Sequence, residues 1–484
     1  MNLGLGQIAL RGGMQMFAAQ GIKFIAQISS VIILARLVSP GDFGLVAFLG
    51  SIFVFVNLFS DFGLTFAIVQ KPEIREEDLN TLFRLNLLMA IIFSAGIGGV
   101  GILATELSGN STYLWVIGIF AAIFFLKSLM TVPQGLLRRR LRFGLLSLQE
   151  AGTSLAGVIV GLAVAAGGHG LLALLLIQFV PILLCFVSSW LMVGWAPGFC
   201  ASPLSKVSGY FSFGGSLTII ELANTLCKHL DNLLIGKVWG MESLGQYNRA
   251  YTLMLAPLNQ VMGPAGTVLV PLFSQTLHRA EIFKKWTTGL FVMITLLSAP
   301  AAGYLVANHK EIVTIMLGKN WSLTADVFFW LSFSVFSKPL GCLIFWVFLS
   351  SGESQKMLHW TLFYSLGTVG TILVGITQGP VFLALAFACS EVLIQLPLAL
   401  YFVNKLGVVE YKIWLRFYKI GILLMIGSVI FSSYIHEKLK ENLFHDWQIL
   451  LFGFISSLCL GCLLLLGCKK SRTLLNTAVK SLKR

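Results

Sequence analysis

Gln20, Lys23, Gln27 and Ser30 interrupt an otherwise apolar stretch at steps of three, four and three residues, which keeps all four on one face of an α-helix. The offset that lays Ala35–Val46 (ARLVSPGDFGLV) over Gly236–Tyr247 (GKVWGMESLGQY) lays this quartet over a second one, Glu221, Asn224, Lys228 and Asp231. A charged side chain in an apolar helix costs several kcal/mol unless it faces water, a partner or a ligand, so each is a candidate site residue. The chemistry open to such a set is binding. Ammonium and guanidinium groups hold anionic oxygen, and a carboxylate beside them exchanges a proton or a sodium ion with ligand occupancy. Lys228 lies three residues from Asp231 and seven from Glu221, so an ion pair along one helix face would also neutralise it without a ligand. Lys23 has no acid within one turn. It needs an anionic ligand or a carboxylate from another helix, and Asp61, one turn from Asn57, is the nearest candidate.

Further embedded charges are Lys127, Arg249, Lys338 before Pro339, and Glu391 four residues before Gln395. Arg249 stands among Tyr247, Asn248 and Tyr251, a mixture suited to a sugar or phosphate, although snorkelling to the interface would also account for Arg249 and Lys127. The binding candidates are therefore Lys23, Gln27, Arg36, Lys228, Arg249 and Lys338, and the ion-coupling candidates Asp61, Glu221 and Asp231. Covalent chemistry finds no residues to work with: H-E-x-x-H, P-loop, G-x-S-x-G and D-x-D motifs are all missing. The expectation is a protein that is not an enzyme and needs no cofactor beyond a proton or sodium gradient. The 8 cysteines are scattered through apolar runs, and Cys459 and Cys462 lack the second ligand pair of a zinc site, so neither a disulfide framework nor a metal centre is expected. The acidic run Glu73, Glu76, Glu77 and Asp78 beside Lys71, Arg75 and Arg84 reads as a solvated turn, and Asp42 as an amino-terminal helix cap.

The elements that position these residues follow from composition. Over 484 residues the chain is 57% hydrophobic and 11% charged, with a mean hydropathy of +0.86. Soluble domains carry about a quarter charged residues, so a large aqueous catalytic domain is excluded. Apolar runs of about 20 residues give about 14 transmembrane helices. They begin near Gly13, Phe43, Leu82, Tyr113, Leu145, Leu171, Tyr210, Leu244, Trp286, Asp326, His359, Pro380, Trp414 and Trp447. The runs are continuous rather than alternating, which makes the fold an all-α polytopic membrane protein and not a β-barrel. The amino-terminal apolar stretch lacks a small-residue cleavage site and is expected to stay as the first helix.

With a cytoplasmic amino terminus, the loops after even-numbered helices hold Lys71 and Arg75, the cluster Arg138, Arg139, Arg140 and Arg142, Lys206, Arg279 with Lys284 and Lys285, Lys356, and Lys405 with Lys412. The opposite loops hold few cations, as the positive-inside rule requires, and both termini are cytoplasmic. Most of the net charge of +14 thus orients the chain and meets anionic membrane lipids, with no nucleic acid implied. The repeat divides the chain into a six-helix lobe over 1–205, a second over 206–405, accessory helices 13 and 14 over 406–468, and a basic tail over 469–484. Helices 13 and 14 have no charge in their cores and are expected on the periphery, facing lipid. Pro257, Pro264 and Pro271, seven residues apart in the eighth helix, are expected to bend or hinge it.

The segments GIKFIAQISSVIILARLVSPGDFGLVAF, FSDFGLTFAIVQK, RLNLL, QGLLRRRLRF, GQYNRAYTLMLAP, LVPLFSQ and MLGKNW resemble the Wzx-type polysaccharide and O-antigen flippases. These belong to the multidrug, oligosaccharidyl-lipid and polysaccharide exporter superfamily, and the chain is most similar to its colanic acid and teichuronic acid exporter branch. The resemblance implies two six-helix bundles forming a V around a central cavity, with two peripheral helices, and alternating access. It implies a substrate of oligosaccharide on undecaprenyl pyrophosphate in a bacterial cytoplasmic membrane, with a polysaccharide polymerase and chain-length machinery as further partners. It also implies cavity positions here at Lys23, Arg36, Asp61, Glu221, Lys228, Asp231 and Arg249. Two rivals remain. An ion-coupled multidrug exporter for organic cations should carry net acid in its cavity, whereas Lys23, Lys127, Lys228, Arg249 and Lys338 make the embedded charge basic. A polytopic glycosyltransferase or ligase would need a sizeable extracellular loop with acidic or histidine pairs.

Overall fold

The computed structural model describes residues 21, 23–61, 63–70, 74–140, 143–198, 200, 202–203, 222, 225–441, 447–448, 450 and 453–457. Among these residues every regular element is helical, and eleven helices are long and apolar enough to cross a membrane. They coincide with the second to sixth and eighth to thirteenth helices expected from the apolar runs. The first, seventh and fourteenth extend into residues outside the described set. The protein is a multi-pass, all-α membrane protein. It divides into two compact units, 1–236 and 237–484. The lobe boundary expected at 205/206, Glu221, Cys459, Cys462 and the basic tail all lie outside the described residues.

The first unit comprises α1 (23–37), α2 (Pro40–Asp61), α3 (Leu64–Gln70), α4 (Glu76–Ser108), α5 (Thr112–Arg139), α6 (Phe143–Ala166), α7 (Gly170–Val193) and the described part of α8 (225–238). Pro40 opens α2, where its fixed φ and missing N–H suit the first helical position. The cap is Ser39 rather than the expected Asp42. The Asp42 backbone N–H donates to Ser39 Oγ at 3.1 Å, and the Ser39 hydroxyl donates back to the Asp42 carboxylate at 2.8 Å. The Ser39 side chain thus caps the first turn, while the Asp42 carboxylate accepts from the cap's hydroxyl rather than from its backbone N–H as in a capping box. The core joins Phe53 of α2, Phe120 and Phe124 of α5 and Leu175 of α7, with the Phe53 and Phe120 ring centroids 4.9 Å apart. α6 and α7 meet backbone to side chain: a Cβ on Gly161 would lie 2.2 Å from Ile177, so only glycine fits there.

The motifs of the first unit that carry the resemblance are largely structural. Asn86 of RLNLL donates to the Ser128 carbonyl at 2.6 Å and joins α4 to α5, while Arg84 reaches the Gly198 carbonyl at 2.9 Å. In QGLLRRRLRF, Arg139 donates to the Ile68 carbonyl (2.8 Å) and Arg140 to the Val193 carbonyl (2.6 Å), satisfying acceptors at the carboxyl ends of α3 and α7. The acidic run begins α4, where Glu76, Glu77 and Asp78 oppose the positive end of the helix dipole. Asp78 is buried rather than solvated.

The second unit contains α9 (Gly240–Thr276), α10 (Ala280–Ala307), the short α11 (His309–Leu317), α12 (Ser322–Ser351), α13 (Ser354–Gly375), α14 (Pro380–Cys389), α15 (Leu396–Asn404) and α16 (Tyr411–Glu441). α9 continues through Pro257, Pro264 and Pro271 for 37 residues. At 1.5 Å per residue that is about 56 Å, well beyond a hydrocarbon core of about 30 Å. In GQYNRAYTLMLAP, Gln246 caps α12 by accepting the Thr324 N–H at 3.1 Å, and Tyr247 is fully buried. In MLGKNW, the buried Leu317 and Trp321 flank Gly318, whose φ of 102° favours glycine. A π-helical turn, Ser390–Gln395, joins α14 to α15. Helix 13 of the sequence reading is α16. It rests on α10 and α12 by one seam, with the Trp414 ring stacked on Phe291 at 4.5 Å, and turns Leu423, Ile430 and Tyr434 outward as a lipid-facing surface would.

Candidate functional site

The polar side chains of the first unit converge on a cavity of about 430 Å³ between α1, α2, α5, α6 and α7. Its charged lining is Lys23, Asp61, Lys127, Arg138 and Glu150, three cations against two carboxylates. Ser60, Thr131, Gln134, Thr153 and Ser154 add hydrogen-bonding groups. The volume lies within the roughly 300–1,000 Å³ of small-molecule sites. Sequence spacing explains how each side of the cavity is built. Thr131, Gln134 and Arg138 recur at helical period on α5 with Lys127 one turn earlier, and Glu150, Thr153 and Ser154 do so on α6.

Lys23 finds its carboxylate on another helix, as its lack of a local acid required. That carboxylate is Glu150 of α6, with Nζ to Oε2 at 3.7 Å, and not Asp61. Asp61 shares the cavity but accepts both the backbone N–H (3.1 Å) and the hydroxyl (2.8 Å) of Thr65, so it caps the start of α3. Gln27 and Arg36 are exposed on α1, outside the cavity lining. On α8, Lys228 is exposed and Asp231 buried, and no ion pair joins these two, while Glu221, the other carboxylate of that face, lies outside the described residues. Asp231 instead accepts the Asn232 backbone N–H at 2.8 Å, and the Asn232 amide donates to Ser51 Oγ of α2 at 3.2 Å.

Lys338, a binding candidate by sequence, sits in a second charged cluster inside the second unit. Its ammonium donates to Glu391 of the π-turn and lies 5.5 Å from the Phe387 ring centroid. Glu391, 4% exposed, also accepts from Ser337 Oγ and Tyr364 OH, each at 3.3 Å. The turn's own Val392 carbonyl accepts from the Tyr418 hydroxyl of α16. The positive charge of Lys338 is thus matched within its own unit. Arg249 is on α9 between Tyr247 and Tyr251, whose rings stack at 6.2 Å; with Tyr247 buried, that ring is closed to a sugar.

Sequence reasoning missed Glu150, and it counted Lys127 among the embedded charges without placing it among the binding candidates. The signal that marks Glu150 is the i, i+3, i+4 set Glu150, Thr153 and Ser154 in QEAGTS, a third polar stripe.

The chain is similar to known proteins along most of its length. The family model described as "Polysaccharide biosynthesis protein" matches residues 33–326. The succinoglycan biosynthesis transport protein ExoT of Rhizobium meliloti (strain 1021) is 25% identical over 372 residues, 76% of this chain and 74% of that protein. The teichuronic acid biosynthesis protein TuaB of Bacillus subtilis (strain 168) is 23% identical over 66% of this chain and 68% of its own. The lipopolysaccharide biosynthesis protein WzxC of Escherichia coli (strain K12) is 23% identical over 60% of this chain and 59% of its own. Among solved structures, the lipid II flippase MurJ in an inward closed conformation aligns with a TM-score of 0.71 over 98% of this chain and 100% of that chain, at 12% identity. An inward-facing multidrug resistance MATE family transporter of the MOP superfamily aligns with a TM-score of 0.58 over 80% and 94%, at 15% identity. At such identities the likeness is one of fold.

Proposed function

This chain belongs to the polysaccharide biosynthesis protein family, and we propose that it is a flippase. On this reading it moves oligosaccharide linked to undecaprenyl pyrophosphate across a bacterial cytoplasmic membrane by alternating access. The observation that carries the reading within that family is charge sign. The cavity of the first unit presents Lys23, Lys127 and Arg138 against Asp61 and Glu150, which suits an anionic head group and disfavours an organic cation. The named relatives, a succinoglycan transport protein and a lipopolysaccharide biosynthesis protein, support a saccharide cargo. The head-group contacts proposed in the first unit are Lys23, Gln27, Arg36 and Lys228, and Arg249 is proposed separately as a contact of the second unit. The polyprenyl tail stays in lipid. Lys338 leaves this set because Glu391 already matches its charge. A proton or sodium gradient drives the cycle through Asp61, Glu221 or Asp231, and both termini face the cytoplasm beside anionic lipids and the polymerase machinery that receives the product.

The experiment is depletion of the protein in its host, followed by assay of lipid-linked oligosaccharide on the inner leaflet. Accumulation should be relieved by the wild type, and not by Lys23→Ala or Lys228→Ala expressed at equal levels. Unchanged export together with new sensitivity to cationic dyes would replace this reading with the drug-exporter one.

A further inference from the structure

Lys127 stands 15 residues after the start of α5 and 12 before its end. At 1.5 Å per residue it is about 18 Å or more from either terminus, too far for a lysine stem to bring its ammonium to the interface. It is partly buried, and among the described residues it makes no hydrogen bond or ion pair. Its relief is the cavity it faces. The two carboxylates lining that cavity are occupied elsewhere, Asp61 by Thr65 and Glu150 by Lys23. Gln134, also on the wall, donates to the sulfur of Cys185 at 3.4 Å, a weak acceptor that a better one would displace.

We propose that this cavity is an anion site in which Lys127 is the anchoring cation and Glu150 holds Lys23 until an anionic oxygen group arrives. At about 430 Å³ the cavity has room for such a group. The group's identity rests on the flippase reading and has two sources of one chemistry, the pyrophosphate of the carrier lipid or the carboxylate of an acidic sugar. Glu150 is then a competitor as much as a partner: an incoming anion replaces its carboxylate on Lys23 and offsets the excess of the lining's three cations over its two carboxylates.

The test is calorimetric titration of the purified full-length protein at low ionic strength with inorganic pyrophosphate, with glucuronate and with glucose. At least one anion should bind and glucose should not, and the anion that binds identifies the source. Lys127→Ala should weaken that binding about tenfold or more, while Lys127→Arg retains most of it. Glu150→Gln should tighten it. A merely structural Lys23–Glu150 pair predicts the opposite sign. Lys127→Met guards against a folding artefact: removing an unpaired embedded charge should leave the unliganded melting temperature unchanged or raised. Binding of neither anion above glucose, unchanged binding in Lys127→Ala, or weaker binding in Glu150→Gln would overturn the site. If Lys127→Met relieves accumulation in cells as well as wild type and binding is unchanged, the site falls while the flippase reading stands. Anion binding by a protein whose wild type does not relieve accumulation keeps the site and removes the flippase reading.

Discussion

Lys338 and Glu391 illustrate how an embedded charge is held without a ligand. The ammonium, the carboxylate and the hydroxyls of Ser337 and Tyr364 form one buried cluster across α12, α13 and the π-turn. Breaking a buried pair from one side leaves the other charge unmatched, at a cost of about 3–5 kcal/mol, whereas replacing both partners is often neutral. Lys338→Ala should therefore lower the melting temperature of the purified protein strongly, and the double variant Lys338→Met with Glu391→Gln should recover most of the loss. Equal melting of wild type and Lys338→Ala would show that the pair contributes nothing. Both residues were legible in the sequence as embedded charges, but their pairing was not. They are 53 residues apart, and the pairing exists only because a π-turn aims Glu391 at α12. The same limit applies to Lys23. Its need for a foreign carboxylate could be read from its neighbours, and the choice of Glu150 over Asp61 could not.

At the scale of elements, hydropathy marks spans well because an apolar run of span length has few other places to be. It does not show which face of a span is close-packed. α16 shows this: glycine at two positions lets it approach the rest of its unit. A Cβ on Gly421 would lie 2.6 Å from the Phe336 ring of α12, and one on Gly303 of α10 would lie 2.5 Å from Ser428 of α16. At its far end His436 reaches Glu311 at 3.4 Å and Asn308 at 3.1 Å. The helix is peripheral on one side and interlocked on the other. Overpacking such a seam typically costs about 1–3 kcal/mol or more. Gly421→Leu should accordingly lower the melting temperature, while Leu423→Ala on the exposed face should leave it nearly unchanged; equal effects would mean that the seam is not tightly packed. The π-turn and the break that separates α3 from α2 were not legible, since both depend on where carbonyls and caps find partners rather than on local preference.

For the molecule as a whole, the proposed orientation rests on where the cations fall. A fluorescent reporter that folds only in the cytoplasm should be bright when inserted after Arg140 and dark after Lys319, and the reverse pattern would invert the proposed topology. Several of the basic residues on which this proposed orientation rests are also structural, as Arg139 and Arg140 are in holding the ends of α3 and α7. The segment that leaves the first unit is fastened in the same region: Asn80 of α4 donates to the Cys200 carbonyl (2.8 Å) and accepts the Gly198 N–H (2.9 Å). Sequence by itself determined that the chain is a multi-pass helical membrane protein, where its spans fall, that basic charge lies within them, and which family it resembles. These follow from composition and period, which are local, and from the several-kcal/mol penalty on charge in hydrocarbon, which acts on each residue singly. Only the tertiary structure decided which of those charges are matched: Lys338 by Glu391, Lys23 by Glu150, and Lys127 by none of the described residues around it. Pairing is a property of distances between helices, and neither composition nor period carries those distances.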